Sequence, residues 1–281
     1  MVKKYYIIGL PSSGKTTFLA ALGYVLNMSD KNAIKLNSCR DMEYISNISG
    51  QWSSCKRMEH THIESLEEIR MTVRESGGDE YELVLPDRAG ERFKKKHKSE
   101  HSEVELHTAL QENEKILFFV NPALIRPEPM IGTISKKYRE FKNGEIISQP
   151  SKTEAESGSP VSSEFALGDQ AEHVELLQSI LASELPSIHI TIVVSAWDVF
   201  MGSEEIKKPE DTLYQYLPLL WQVIESHKST LHVSYWGISA QGGNWDDPEE
   251  KKNLLNTPCQ KRAFAIDSEG NRVNDITKIL L

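Results

Sequence analysis

The stretch Gly9-Leu10-Pro11-Ser12-Ser13-Gly14-Lys15-Thr16 constrains this chain more than any other. The β-branched and aromatic run Lys3-Lys4-Tyr5-Tyr6-Ile7-Ile8 precedes it and a helical pattern follows, so it reads as strand, glycine-bounded loop and helix in succession. Glycines at both ends let the backbone curl until successive N–H groups point inward, and the helix aims its positive N-terminus at the same spot. That is a phosphate cradle. With the spacing G-x-x-x-x-G-K-[ST], Lys15 reaches the β- and γ-phosphates of a nucleotide and the Thr16 hydroxyl is placed for Mg²⁺. The plain alternative is a Gly/Ser turn before an ordinary helix.

Composition narrows the remaining classes. The 281 residues are 39% hydrophobic, enough for a substantial core. A formal net charge of -9 argues against nucleic-acid binding, which wants a basic face. Cys39, Cys55 and Cys259 form neither a CxxC pair nor an even disulfide framework, which points to a reducing compartment. No apolar run approaches the roughly 20 residues of a membrane span, and the start leaves no room for a signal peptide. The expectation is a cytoplasmic protein with no membrane partner.

The pattern predicts a first strand over residues 3 to 8 and a helix from Lys15 to Met28 with Phe18, Leu19, Leu22, Val25 and Leu26 on one stripe. In residues 29 to 66, Tyr44, Ile45, Ile48 and Trp52 recur at helical spacing. Two β-like runs, Leu66 to Glu75 and Tyr81 to Leu85, flank a hairpin signal. The second runs into Pro86-Asp87-Arg88-Ala89-Gly90-Glu91. An aspartate at the carboxyl end of an apolar strand is where a P-loop enzyme holds its Mg²⁺ shell, and Gly90 is placed to offer an N–H to a γ-phosphate. Lys94-Lys95-Lys96-His97-Lys98 reads as a solvated face, with a docking patch for an acidic partner or phosphate as the alternative. Strands are expected at Ile116 to Val120, Ile188 to Val194 and Leu231 to Trp236, with helices over 168 to 185 and from Pro209 to His227, the latter broken or kinked at Pro218. Residues 123–164 are expected to be a mobile insertion, and 243–273 a second insertion with a hairpin around Ser268-Glu269-Gly270-Asn271. Asp275 looks like the N-cap of a short last helix.

Four loops at strand ends therefore appear in the order cradle, D-x-x-G, x-x-x-D, S-A. This order resembles the Ras-like P-loop GTPases of the translation-factor-related (TRAFAC) class. GLPSSGKT matches the family's phosphate loop, DRAG its Mg²⁺ and γ-phosphate switch, SAWD its guanine-reading N/T-K-x-D and SAQ its purine loop. The long first switch, the bulky insertions and the ending DITKILL are most similar to the double-GTPase proteins of bacterial conflict systems.

The resemblance implies an α/β fold: one domain over 1–281 built on a mixed six-stranded sheet, parallel except for the second strand of the hairpin pair, with helices on both faces. It implies GTP/GDP and Mg²⁺ as ligands, held by Gly9, Pro11, Ser12, Ser13, Gly14, Lys15, Thr16 and Thr17 at the phosphates. Asp198 would accept from guanine N1–H and the exocyclic amine, Ala240 N–H would donate to O6, and Ser239 and Gln241 flank it. Thr61, the one threonine between Thr17 and Thr72, is the implied first-switch ligand of Mg²⁺ beside Thr16 and Asp87.

Three residues depart from the family pattern. Ser195-Ala196 replaces Asn/Thr-Lys, removing a lysine that lies along the purine; Trp197 either covers the base in its stead or packs in a helix interface. Glu91 stands where Ras-like proteins keep a water-orienting glutamine. A carboxylate near a γ-phosphate is repelled by about 4 kcal/mol for unit charges roughly 4 Å apart at an effective dielectric of about 20. Glu91 thus needs a cation, from Arg88, Arg92, Lys94 or Mg²⁺, to orient water; without one it points away and hydrolysis is slow. Arg88 reads as a solvent-facing arginine or as an arginine finger in cis. The expected function is a slowly hydrolysing GTP switch. Its rivals are a non-hydrolysing guanine-nucleotide scaffold and a P-loop ATPase or small-molecule kinase. The short last helix is expected to leave strand one partly bare, inviting a protein partner, a second GTPase or effector, at that surface.

Overall fold

Alternating side chains of the first strand all find cover, which places it in the middle of a sheet: Tyr5 and Ile7 face one hydrophobic layer, Tyr6 and Ile8 the other, each at most 8% exposed. The computed structural model describes residues 3–28, 34–57, 68–75, 77–86, 110–111, 115–125, 169–183 and 185–281. Numbered over these residues, the chain runs β1 (Lys3–Gly9), α1 (Lys15–Met28), β2 (Ile34–Cys39), α2 (Met42–Ser53), β3 (Glu68–Glu75), β4 (Glu80–Pro86) and β5 (Lys115–Val120). It continues with α3 (Asp169–Leu181), β6 (Ile188–Val194), α4 (Pro209–Tyr216), α5 (Pro218–Ser226), β7 (Leu231–Ser239), α6 (Pro248–Asn256), β8 (Phe264–Ile266) and β9 (Arg272–Val273). Short 3₁₀ turns at Trp197–Phe200 and Ile276–Leu280 matter below.

Among the described residues the strands form one nine-stranded sheet in the order β2-β3-β4-β1-β5-β6-β7-β8-β9. The fold is α/β with a mixed sheet, but six strands were expected. β2 escaped notice because its apolar alternation is only Ile34 and Leu36, and a register shift between Leu36 and Ser38 interrupts its pairing with β3. The hairpin is present, yet its first strand is the reversed one: β4 runs parallel to β1, and β3 lies antiparallel to both β4 and β2. The second insertion is a continuation of the sheet, with β8 and β9 added antiparallel beyond β7 and Asp267–Gly270 turning between them. Its pairing of Gly237, Ile238 and Ser239 with Ile266, Ala265 and Phe264 lengthens β7 by three residues past the expected end at Trp236.

Helices cover both faces. α1 and α2 supply Phe18, Leu22, Ile45 and Trp52 to one layer; α3, α4 and α5 supply Leu177, Ile180, Leu213 and Leu220 to the other. Pro218 breaks the predicted long helix cleanly, Leu217 taking φ -130 and ψ 51 between α4 and α5. Asp275 caps the last turn, its Oδ1 accepting from Thr277 N at 2.9 Å and Thr277 Oγ1 at 2.6 Å. That turn is 3₁₀ and five residues long, yet Ile276, Ile279 and Leu280 are buried in the same layer as Tyr5 and Ile7. The expectation of a bare first strand is therefore overturned, and with it the reason for placing a partner there. No helix among the described residues is long and apolar enough to cross a membrane. The expected insertion over 123–164 lies outside the described residues beyond Ile125, and Lys94–Lys98 lies wholly outside.

Candidate functional site

β4, β1, β5, β6 and β7 are parallel neighbours and end on one rim of the sheet, so the loops after Gly9, Val120, Val194 and Ser239 meet there. Open α/β sheets bind ligands at such a rim.

The cradle is built by close approach. A side chain at Gly9 would place its Cβ 2.5 Å from the Phe119 carbonyl oxygen and 2.7 Å from Ser13 Oγ. Gly14 sits at φ +90, and a Cβ there would meet Ser195 Cβ at 2.9 Å. Ser12, also left-handed at φ 63, completes the inward curl without being a glycine. Phe18 N donates to Gly14 O at 2.9 Å and starts α1 directly behind the loop. Lys15 Nζ points back into the loop, donating to Gly9 O at 2.8 Å, Leu10 O at 2.9 Å and Ser13 Oγ at 3.2 Å. Its burial pulls its pKa down from 10.5 to about 8. A cation wrapped in neutral acceptors at a helix N-terminus is matched by an anion, so the loop fits the phosphates of a nucleotide. Thr16 is exposed at the start of α1, as a Mg²⁺ ligand needs to be, while Pro11 and Thr17 are half-buried at the rim.

The second pair of loops is joined by hydrogen bonds. Ser239 Oγ donates to Asp198 Oδ1 at 2.5 Å and accepts from Gly242 N at 3.0 Å. The Asp198 carboxylate is thereby held beside the Ser239-Ala240-Gln241 loop. Ser195 is buried, its N–H and Oγ both donating to Val120 O, and it lies against Gly14. Ser195 thus ties the end of β6 to the end of β5 through its hydroxyl and packs against the phosphate loop at Gly14. Ala196 follows at φ 52, lifting the chain into the 3₁₀ turn that carries Asp198.

Of the two readings of Trp197, the structure takes packing, against a strand and not a helix interface. Its ring is 3% exposed, and a Cβ on Gly237 would lie 2.5 Å from Trp197 Cε3. The indole packs on β7 and on Phe200 at 5.9 Å, so the packing reading holds and no ring face is open to cover a base. Thr61, Asp87, Arg88, Gly90 and Glu91 lie outside the described residues.

Three contributors went unassigned in the sequence. Asn121 Nδ2 donates to Ser12 O at 3.3 Å, tethering the phosphate loop to the end of β5. Its placement at a strand terminus next to β1 was the available signal. Trp52 was legible only as a helix-core residue, yet its Nε1 donates to Ala240 O at 2.7 Å. Arg262 is 6% exposed; its guanidinium donates to Ser53 O at 2.6 Å and Thr257 O at 3.0 Å. Neither carries a motif.

A family model described as Double-GTPase 1 matches residues 6–281. Among solved structures, Aquifex aeolicus Era bound to GDP·AlF4⁻ is 16% identical, with 92% of this chain and 57% of that chain covered and a TM-score of 0.36. The GTPase-like domain of S. cerevisiae Ski7 bound to GTP is 13% identical over 88% and 45% of the two chains, with a TM-score of 0.41. The signal recognition particle receptor SRb-GTP/SRX complex from Chaetomium thermophilum is 13% identical over 91% and 96%, with a TM-score of 0.39. The match thus spans only about half of the Era and Ski7 chains. None of the curated proteins compared with the chain matches it.

Proposed function

The chain belongs to the Double-GTPase 1 family, and from that premise we propose that it is a guanine-nucleotide switch that binds GTP with Mg²⁺ and hydrolyses it slowly. The observation that carries this reading is the 2.5 Å hydrogen bond from Ser239 Oγ to Asp198. It holds a carboxylate with two acceptor oxygens on the rim that also bears the phosphate cradle. Guanine offers N1–H and a 2-amino group to such a pair; adenine offers neither there. In this reading Lys15 and the loop N–H groups bind the phosphates, and Ala240 N–H donates to O6. Thr16, Asp87 and Thr61 would hold Mg²⁺, which would neutralise phosphate charge. Gly90 donates to the γ-phosphate. Where Arg88, Arg92, Lys94 or Mg²⁺ offsets its charge, Glu91 orients water; where none does, it points away and hydrolysis is slow.

A non-hydrolysing scaffold is the second reading, favoured by Glu91 in the glutamine position and by Ala196 at the lysine position. Multiple-turnover phosphate release in the presence of Mg²⁺ separates the two. Competition of ATP against labelled GDP tests the ATPase rival, which Asp198 and the Ser239-Ala240 loop argue against.

The decisive variant is Asp198→Asn. One acceptor oxygen becomes an NH₂ that faces the guanine 2-amino donor, leaving a partly buried polar group unpaired at a cost of about 1–3 kcal/mol. GDP should bind about tenfold more weakly or worse. Xanthosine diphosphate carries a carbonyl at that place and should gain. A GDP-to-xanthosine affinity ratio that stays put in the variant would show that Asp198 does not read the base.

A further inference from the structure

The indole of Trp52 reaches the base-reading loop from a helix 188 residues away in sequence. Trp52 is 0% exposed and its ring packs on Tyr24 at 5.3 Å with the planes tilted by 47°, so the N–H direction is set by packing. The acceptor, Ala240 O, belongs to a residue that is itself 7% exposed. On its other side Ala240 follows Ser239, which is paired to Phe264 in the β7–β8 ladder. One peptide plane of Ala240 is thus held by the sheet and the next by the Trp52 N–H at 2.7 Å. The end of α2 is braced in turn. Arg262 Nη1 donates to Ser53 O at 2.6 Å, and the Arg262 carbonyl backs Gly242, where a Cβ would approach it to 2.6 Å. Gly242 N then donates to Ser239 Oγ, which holds Asp198.

The geometry points to Trp52 as a positioning residue for purine recognition: by anchoring the peptide that follows Ala240 it keeps that residue's backbone in place, so that the N–H of the preceding, sheet-held peptide stays aimed at the 6-position of the base. This rests on the guanine reading of Asp198 and Ala240 given above. A tryptophan that merely fills the core between α1 and α2 would, when altered, weaken every nucleotide alike. A tryptophan that aims one N–H changes the worth of one substituent on the purine. Trp245 Nε1, donating to Gln241 O at 3.3 Å, holds the neighbouring peptide and serves as a control, because Gln241 has no assigned contact with the 6-position.

The experiment uses the full chain and Trp52→Phe, which keeps a buried aromatic ring and removes the N–H. Dissociation constants are measured for GDP and for 6-thioguanosine 5′-diphosphate, which retains N1–H and the 2-amino group and replaces O6 by sulfur, a much weaker acceptor. Wild type should prefer GDP by about tenfold, the usual worth of one hydrogen bond. In Trp52→Phe that preference should fall about fivefold or more, through loss of GDP affinity, while Trp245→Phe leaves it in place. Equal weakening of both nucleotides in Trp52→Phe, with the ratio unchanged, overturns the inference. Should Trp52→Phe fail to fold, β-(3-benzothienyl)alanine at position 52 preserves the bicyclic volume without the donor, and the same ratio decides. If wild-type protein does not distinguish GDP from ADP, it is the guanine reading that fails.

Discussion

A lysine whose ammonium is enclosed by Gly9 O, Leu10 O and Ser13 Oγ has hydrogen bonds but, among the described residues, no opposite charge, and its burial lowers its pKa to about 8. The consequence for stability has a definite sign. In the unfolded chain Lys15 keeps its proton up to the ordinary value of 10.5, whereas in the nucleotide-free fold it releases it near 8. Between these values the unfolded chain binds more protons, so the stability of the fold rises with pH; below about 8 the full penalty of burying the charge is present. Urea denaturation at pH 7.5 and pH 10 should therefore show a larger gain for the nucleotide-free wild type than for Lys15→Met. Equal changes in the two proteins would mean that Lys15 is not the group responsible. Bound phosphates supply the missing counter-charge, return the pKa toward its ordinary value and remove the difference.

At the scale of elements, the contact between α1 and α2 decides whether Trp52 reaches its acceptor. The helices cross at Gly23, where a Cβ would lie 2.5 Å from Ile45 Cγ2 and 2.9 Å from Ser49 Oγ. Ser49 Oγ donates to Ala20 O at 2.9 Å and ties the same crossing. Gly23→Val should destabilise the fold by about 1–3 kcal/mol through overpacking, more than the few tenths that replacing a helical glycine returns. A denaturant midpoint unchanged from wild type would show that the helices can separate without cost. The α2 pattern of Tyr44, Ile45, Ile48 and Trp52 was readable because four apolar residues at helical spacing have one common face. Its neighbour β2 was not readable, since two apolar residues in an edge strand make no period.

For the whole molecule, loops spread along the chain from Gly9 to Ser239 converge only because five parallel strands end on one rim. Ligand binding at that rim must then stabilise the entire sheet. GDP present at about 100 times its dissociation constant should raise the unfolding free energy by about 2.7 kcal/mol. Lys15→Ala, folded but without its cation on the β/γ-phosphates, should lose that increment. Thermal melts with and without GDP measure it, and an increment kept by the variant would place nucleotide binding away from the cradle.

The phosphate loop, the Asp198 and Ser239-Ala240 loops, the helix-starting Pro209, the helix-breaking Pro218 and the Asp275 cap were legible in the sequence itself. The cradle, the prolines and the cap rest on local rules, namely glycine spacing, a missing N–H and a side-chain acceptor at a helix start, whereas the Asp198 and Ser239-Ala240 loops were read from the order of motifs along the chain. Strand number and direction were decided only in the tertiary structure. β8 becomes a strand because Gly237–Ser239 offers it a free ladder edge, and β3 reverses because its partner β4 aligns with β1. The same holds for Trp197, Trp52 and Arg262. Their roles depend on which backbone atoms packing brings within 3 Å, such as the Ala240 carbonyl beneath the Trp52 indole, and residue spacing along the chain carries no record of that distance.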